Sequence, residues 1–87
     1  MKIKQYESSS KLKLIKLISQ YRVTLAKLKA IEREIDLEAA EEELEFYQKK
    51  KYPIFIAEGD KGNLIGYHVC KIQDNIIWSE SLYIISY

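Results

Sequence analysis

The stretch that most constrains the fold is the last third of the chain, Tyr52 to Tyr87, which reads YPIFIAEGDKGNLIGYHVCKIQDNIIWSESLYIISY. Runs rich in Ile, Val, Tyr, Phe and Trp are punctuated there by Asp60-Lys61-Gly62-Asn63 and by Asp74-Asn75. Such runs mark strands joined by tight turns, because the turns need backbone angles that Gly, Asn and Asp tolerate. The segment is expected to form a three-stranded antiparallel meander. Its last strand, Ile76 to Ile85, is the most apolar and carries one carboxylate, Glu80, between Trp78 and Leu82. A strand this apolar is expected to be central and covered on both faces. The sequence ends two residues later, so whatever flanks the strand is expected to be missing or to come from another chain.

Upstream the periodicity changes. Residues 2–6, KIKQY, alternate polar residues with Ile3 and suit a short strand at a sheet edge, where lysines discourage further pairing. Ser8, Ser9 and Ser10 each offer a side chain able to cap a helix. Leu14, Leu17, Ile18, Tyr21, Leu25, Leu28 and Ile31 then recur at steps of three or four, the spacing of an amphipathic helix.

Helical signal persists from about Ser10 to Lys51, with no Gly or Pro before Pro53. A break is expected near Ile35–Asp36, because Asp36 suits an N-cap and Glu38 and Glu41 to Glu43 suit the positive end of a following helix. In that second helix Leu37, Ala40, Leu44 and Tyr47, with Ala39, form the expected buried stripe. Lys49 to Lys51 suit its far end, and Pro53 stops it. The alternative is a single unbroken helix in a coiled coil. The order is then strand, helix, helix, strand, strand, strand, an α+β fold with a mostly antiparallel sheet.

Composition narrows the function classes. Eighty-seven residues make at most one domain, and a chain of this length buries only about 60–65% of its unfolded surface, so a second copy would help it. Fourteen basic and thirteen acidic residues give a formal charge of +1, which argues against nucleic acid as a partner. The single cysteine, Cys70, excludes an internal disulfide and a multi-cysteine zinc site and fits a reducing cytoplasm. No apolar run approaches the ~18–20 residues of a membrane span, and no secretion signal opens the chain. No metal site and no membrane partner are expected.

Residues 52–85 resemble the second, third and fourth strands of the GNAT superfamily of acyl-CoA-dependent N-acyltransferases, with YPIFIAE, GNLIGYHV and the ESLYI ending in matching order. KIKQYESSS resembles the first strand and the turn into the two substrate-side helices, so all 87 residues can be placed. The resemblance implies an N-terminal half of that fold, divided here as strand 1–7, two helices in 8–51 and a meander in 52–87. GNAT proteins follow the fourth strand with a phosphate-cradling (Gln/Arg)-x-x-Gly-x-(Gly/Ala) segment, whereas the three glycines here are Gly59, Gly62 and Gly66. The isolated chain is accordingly expected to bind acetyl-CoA weakly or not at all.

The resemblance implies roles for particular residues. Glu80 would be the general base for an amine acceptor, with Trp78, Glu80, Leu82 and Ile84 on one face by alternation and the carboxylate partly desolvated. Leu82, Tyr83, Ile84 and Ile85 would contact the acyl carbonyl and pantetheine arm through their backbone. Tyr21, Arg22 and Trp78 would line the acceptor site, Arg22 holding an acceptor carboxylate. His68 and Cys70 share a face of their strand, and with Glu80 across the hairpin they raise a nucleophilic site, although no second histidine or oxyanion turn accompanies them and cysteine is commonly a small core residue. The rival reading is a non-enzymatic module that self-associates through its last strand or its helices.

Overall fold

The computed structural model describes residues 1–85. The chain forms β1 (Lys2–Gln5), α1 (Lys11–Leu28), α2 (Leu37–Lys49), β2 (Ile54–Glu58), β3 (Leu64–Gln73) and β4 (Ile76–Ile84), which is the α+β order expected from the sequence. All strand pairs are antiparallel, in the order β1-β2-β3-β4. No helix among the described residues is long and apolar enough to cross a membrane.

Helix boundaries follow local chemistry, with two departures from expectation. Ser10 occupies the N-cap of α1 without a side-chain cap bond; instead Ser8–Ser10 form a 3₁₀ turn in which the Ser10 amide donates to the Glu7 carbonyl at 2.9 Å. Moreover, α1 ends at Leu28 rather than near Ile35. Ala30 takes a left-handed conformation (φ 57°), and the Ile31 amide donates back to Ala26 O at 2.8 Å, the chain reversal that closes many helices. Consequently Leu28 and Ile31, expected on the buried stripe, are exposed. The second helix begins as expected, with Asp36 Oδ1 accepting from the Ala39 amide at 3.0 Å. Its end repeats the α1 reversal, with Lys51 at φ 59° and the Tyr52 amide donating to Tyr47 O at 3.0 Å. Two separate helices replace the single coiled-coil helix considered above.

Both helices lie on one face of the sheet. Leu14, Leu17 and Ile18 of α1 and Ala40, Leu44 and Tyr47 of α2 pack with Ile54 and Ile56 of β2 and Tyr67 and Val69 of β3. Leu14, Ile18, Ala40 and Leu44 are fully buried. Leu37 at the start of α2 and Leu25 near the end of α1 stay partly exposed, beyond the reach of this core.

β4 is an edge strand, not the central one its composition suggests. It pairs with β3 alone among the described residues, and Ile76, Ile77, Trp78, Leu82 and Ile84 are each more than half exposed. The opposite sheet face is also uncovered. Directly paired residues share a face, so the register places Ile3, Phe55, Ile72, Ile77, Leu82 and Ile84 on the side away from the helices, and all six are exposed.

The β3–β4 register carries the feature that positions the site. The hairpin turns at Asp74 (φ 54°) and Asn75 (φ 64°), the two-residue turn that the sequence predicts. From there Lys71 faces Trp78 and Cys70 faces Ser79, but Val69 faces Ser81, so Glu80 is an extra residue in β4. This is a β-bulge, and it resets the alternation. Trp78 and Glu80 keep to the helix side, whereas Leu82 and Ile84 turn to the open face, opposite His68 and Gly66.

Two substitutions test this backbone with opposite signs. Lys51→Gly relieves a left-handed residue that costs about 1–2 kcal/mol, less about 0.5–1 kcal/mol of glycine's extra unfolded entropy. The net gain of up to about 1.5 kcal/mol is expected to raise Tm by up to roughly 10 °C, and a fall in Tm would contradict the assignment. A Cβ at Gly66 would lie 2.8 Å from the Tyr83 carbonyl oxygen. Gly66→Ala is therefore expected to destabilise by about 1–3 kcal/mol in denaturant unfolding.

Candidate functional site

A cleft of about 330 Å³ opens between α1, α2 and the bulged part of β4, lined among others by Tyr21, Arg22, Glu43, Tyr47, Glu80 and Ser81. Tyr21 and Arg22 lie in the middle of α1, facing α2 and β4. Glu43 and Tyr47 are one turn apart on α2 and so present to the same side. Glu80 reaches the cleft because alternation from Trp78 puts it on the helix side, and the bulge sets Ser81 there beside it.

The floor is a fixed polar network. Arg22 Nη1 donates to Glu43 Oε1 at 3.0 Å, and the Tyr47 hydroxyl donates to Glu43 Oε2 at 2.9 Å. Both carboxylate oxygens of Glu43 are thereby engaged, and Arg22 Nε is sealed from solvent without a partner. Beside this network Tyr21 stacks on Tyr83 with ring centroids 4.8 Å apart and meets Tyr67 edge-on at 6.1 Å. The Ser81 hydroxyl donates to the Tyr67 hydroxyl at 3.3 Å.

Burial pushes the pKa of both Tyr47 and Tyr67 well above the ordinary tyrosine value, and the nearby Glu43 carboxylate adds to both shifts. The Ser81 hydrogen bond to Tyr67 acts in the opposite direction, and burial outweighs it.

The structure thus brings Tyr21, Arg22 and Glu80 to one cleft, but changes what each can do. Arg22 is held by Glu43, which takes the place that an acceptor carboxylate was expected to fill. Glu80 is exposed, because the bulge separates it from Leu82 rather than leaving it walled between two apolar side chains. Trp78 faces Lys71, is 54% exposed and does not line the cleft. Glu43, Tyr47 and Ser81 escaped the sequence reading. The Glu43–Tyr47 spacing of four on a helix was the available signal for the first two, whereas Ser81 depends on the bulge.

Residues 82–85 divide by register. The Ile85 amide donates to Ile65 O at 2.7 Å, so alternate residues of the strand direct their backbone groups at β3. Tyr83 and Ile85 are turned inward, while Leu82 and Ile84 present N–H and C=O to the open edge. On the other face His68 Nε2 lies 3.0 Å from Ser79 Oγ, and Cys70 Sγ lies 3.9 Å from the imidazole. Ser79, not Glu80, faces Cys70 across the hairpin, and Glu80 lies on the opposite face, so the three do not form the nucleophilic site considered from the sequence. Among the described residues no three His, Cys, Asp or Glu side chains cluster as metal ligands would.

The raised tyrosines make a pH prediction. Unfolded tyrosine ionises near pH 10, whereas Tyr47 and Tyr67 in the fold keep their protons to higher pH. Their contribution to stability is complete below about pH 10 and is lost as pH rises beyond it. Denaturant unfolding is expected to show stability falling above about pH 10, less steeply in Tyr47→Phe and Tyr67→Phe. Equal slopes in wild type and both variants would contradict this. Compared with protein-family models, with curated proteins and with solved structures, the chain has no match.

Proposed function

We propose that the chain is the acceptor-side part of a GNAT-type N-acyltransferase of the reducing cytoplasm, moving an acetyl group from acetyl-CoA to an amine. The observation that carries this reading is the cleft itself, where Glu80, on the helix side of β4, shares the lining with Tyr21 and Arg22. Acylation requires the attacking amine to lose a proton, and an exposed carboxylate at the rim of a cleft can accept it directly or through one water. Arg22, Glu43 and Tyr47 hold one another and keep the cleft's floor in place.

Acetyl-CoA would supply an activated acetyl thioester. The residues present suit one end of it only. Leu82 and Ile84 offer backbone donors and acceptors along the free edge of β4, which suits the amide groups of a pantetheine arm. No glycine-rich turn leading into a helix follows β4 among the described residues, so nothing here suits the pyrophosphate. The uncovered sheet face and the β4 edge support a domain whose remaining part lies against them.

A second reading is favoured by the contrast between the two sheet edges. β1 is four residues long and carries Lys2 and Lys4, the latter 2.6 Å from Glu58, which discourages pairing. β4 has nine residues, no lysine, no proline and an apolar surface. A self-associating module joined through β4 follows from that contrast, and a stable monomer in light scattering at high micromolar concentration would contradict it.

The transferase reading is tested on the polypeptide at its native length, by acetyl transfer from acetyl-CoA to an amine panel. Glu80→Gln is expected to lower kcat by roughly 10²-fold while the amine KM changes by less than about threefold. Unchanged turnover, with an unchanged pH–rate profile, would remove Glu80 from the mechanism. Residues 1–87 alone are expected to turn over little or nothing.

A further inference from the structure

The charged groups around the cleft are not evenly satisfied. Three cations, Arg22, Lys29 and Arg33, and two carboxylates, Glu43 and Glu80, line it. Arg22 and Glu43 neutralise each other at 3.0 Å, and Tyr47 occupies the second Glu43 oxygen. Both carboxylate oxygens of Glu43 already hold a partner, and Arg22 Nε is sealed from solvent. Lys29, Arg33 and Glu80 remain, and none of them is in an ion pair among the described residues.

Their positions separate the two signs. Lys29 and Arg33 belong to the α1–α2 connection, which exists because α1 closes at Leu28 with Ala30 in the left-handed region. Had α1 run on toward Ile35, Arg33 would sit on a helix surface instead of on a connecting loop. Glu80 stands across the cleft on β4. The cleft thus has a cationic wall from the connection and an anionic point from the sheet.

Its size limits what fits. A cleft of about 330 Å³ is at the small end of ligand sites and suits a small metabolite.

We propose that this cleft binds a small aminocarboxylate, with the ammonium group against Glu80 and the carboxylate against Lys29 and Arg33. The proposal rests on the acyltransferase reading for its meaning, since it names the class of acceptor, but the binding itself needs no acetyl-CoA. A bound ammonium at Glu80 is the protonated form of the amine that acylation would consume. The second charge gives the cleft a means of selecting zwitterions over simple amines. Opposite charges at the two ends fix the ligand's direction as well as its affinity.

The test is an NMR chemical-shift titration of the chain with 4-aminobutyrate, n-butylamine and butyrate. 4-Aminobutyrate is expected to bind about tenfold or more tightly than either singly charged analogue, with shifts at Ser81 and Arg33. Lys29→Ala/Arg33→Ala is expected to abolish that preference and leave butylamine binding unchanged, while Glu80→Gln weakens butylamine and 4-aminobutyrate alike. Because both sites are exposed, the variants retain the wild-type fold, which the unperturbed core amide shifts verify. Equal affinity for 4-aminobutyrate and butylamine, no binding of any probe, or a preference that survives the double variant would overturn the proposal. Zwitterion preference without acetyl transfer by the native-length polypeptide would leave it standing and remove the transferase reading. Transfer to amines without zwitterion preference would do the reverse.

Discussion

An antiparallel strand keeps its side chains on alternating faces only while its register holds, and in β4 the register slips by one residue at Glu80. That slip decides which residues can meet. It brings Glu80 and Ser81 together on the side where Tyr21, Arg22, Glu43 and Tyr47 already face, and it sends Leu82 and Ile84 to the opposite side. Without it the register set at the turn would continue, Val69 would face Glu80 and His68 would face Ser81, and Leu82 and Ile84 would take the helix side in place of Ser81 and Tyr83. The same slip interrupts the free edge of β4, a device that limits indiscriminate strand pairing on an otherwise apolar edge.

The cleft in turn depends on the way the helices are held apart. Leu14, Ile18, Ala40 and Leu44 have essentially no exposure and fix the helix pair against Ile54, Ile56, Tyr67 and Val69. Beyond that core the apolar stripe gives way to the Arg22–Glu43–Tyr47 network and to the Tyr21, Tyr67 and Tyr83 rings. Partly exposed ion pairs contribute modestly to stability in general, so the network's main effect is geometric. It sets the spacing between α1 and α2 at the floor of the cleft and consumes one charge of each sign. Lys29, Arg33 and Glu80 are left as the groups free to meet a ligand.

Much of the architecture was legible in the sequence because it follows from short-range chemistry. The shift from helical to strand spacing, the Asp36 cap, the Asp74-Asn75 turn and the lysine-guarded β1 edge each rest on residues adjacent in the chain. The end of α1 was not legible, since Ala30 adopts a left-handed backbone that alanine composition does not announce and no glycine or proline marks the reversal. The bulge was not legible either, since reading faces from a strand assumes the alternation that a bulge breaks. Tyr21, Arg22 and Glu80 were singled out and do share a cleft, whereas Trp78 shares the face of Glu80 but sits nearer the hairpin turn, outside the cleft. Glu43 as the partner of Arg22 required knowing how α1 and α2 pack.

The register of β4 is the most direct point at which to test this account, through Hα–Hα contacts across β3 and β4 in the NMR spectrum of the chain. Residues paired without mutual hydrogen bonds bring their Cα atoms to about 4.5 Å, close enough for a strong contact between the Hα protons. The account requires such contacts between His68 and Leu82 and between Cys70 and Ser79, so that residues two apart on β3 meet residues three apart on β4. A His68–Ser81 contact in place of His68–Leu82 would mean that β4 alternates without interruption. Leu82 and Ile84 would then take the helix side in place of Ser81 and Tyr83, and the cleft would lose Ser81 and the Tyr21–Tyr83 stack beside it.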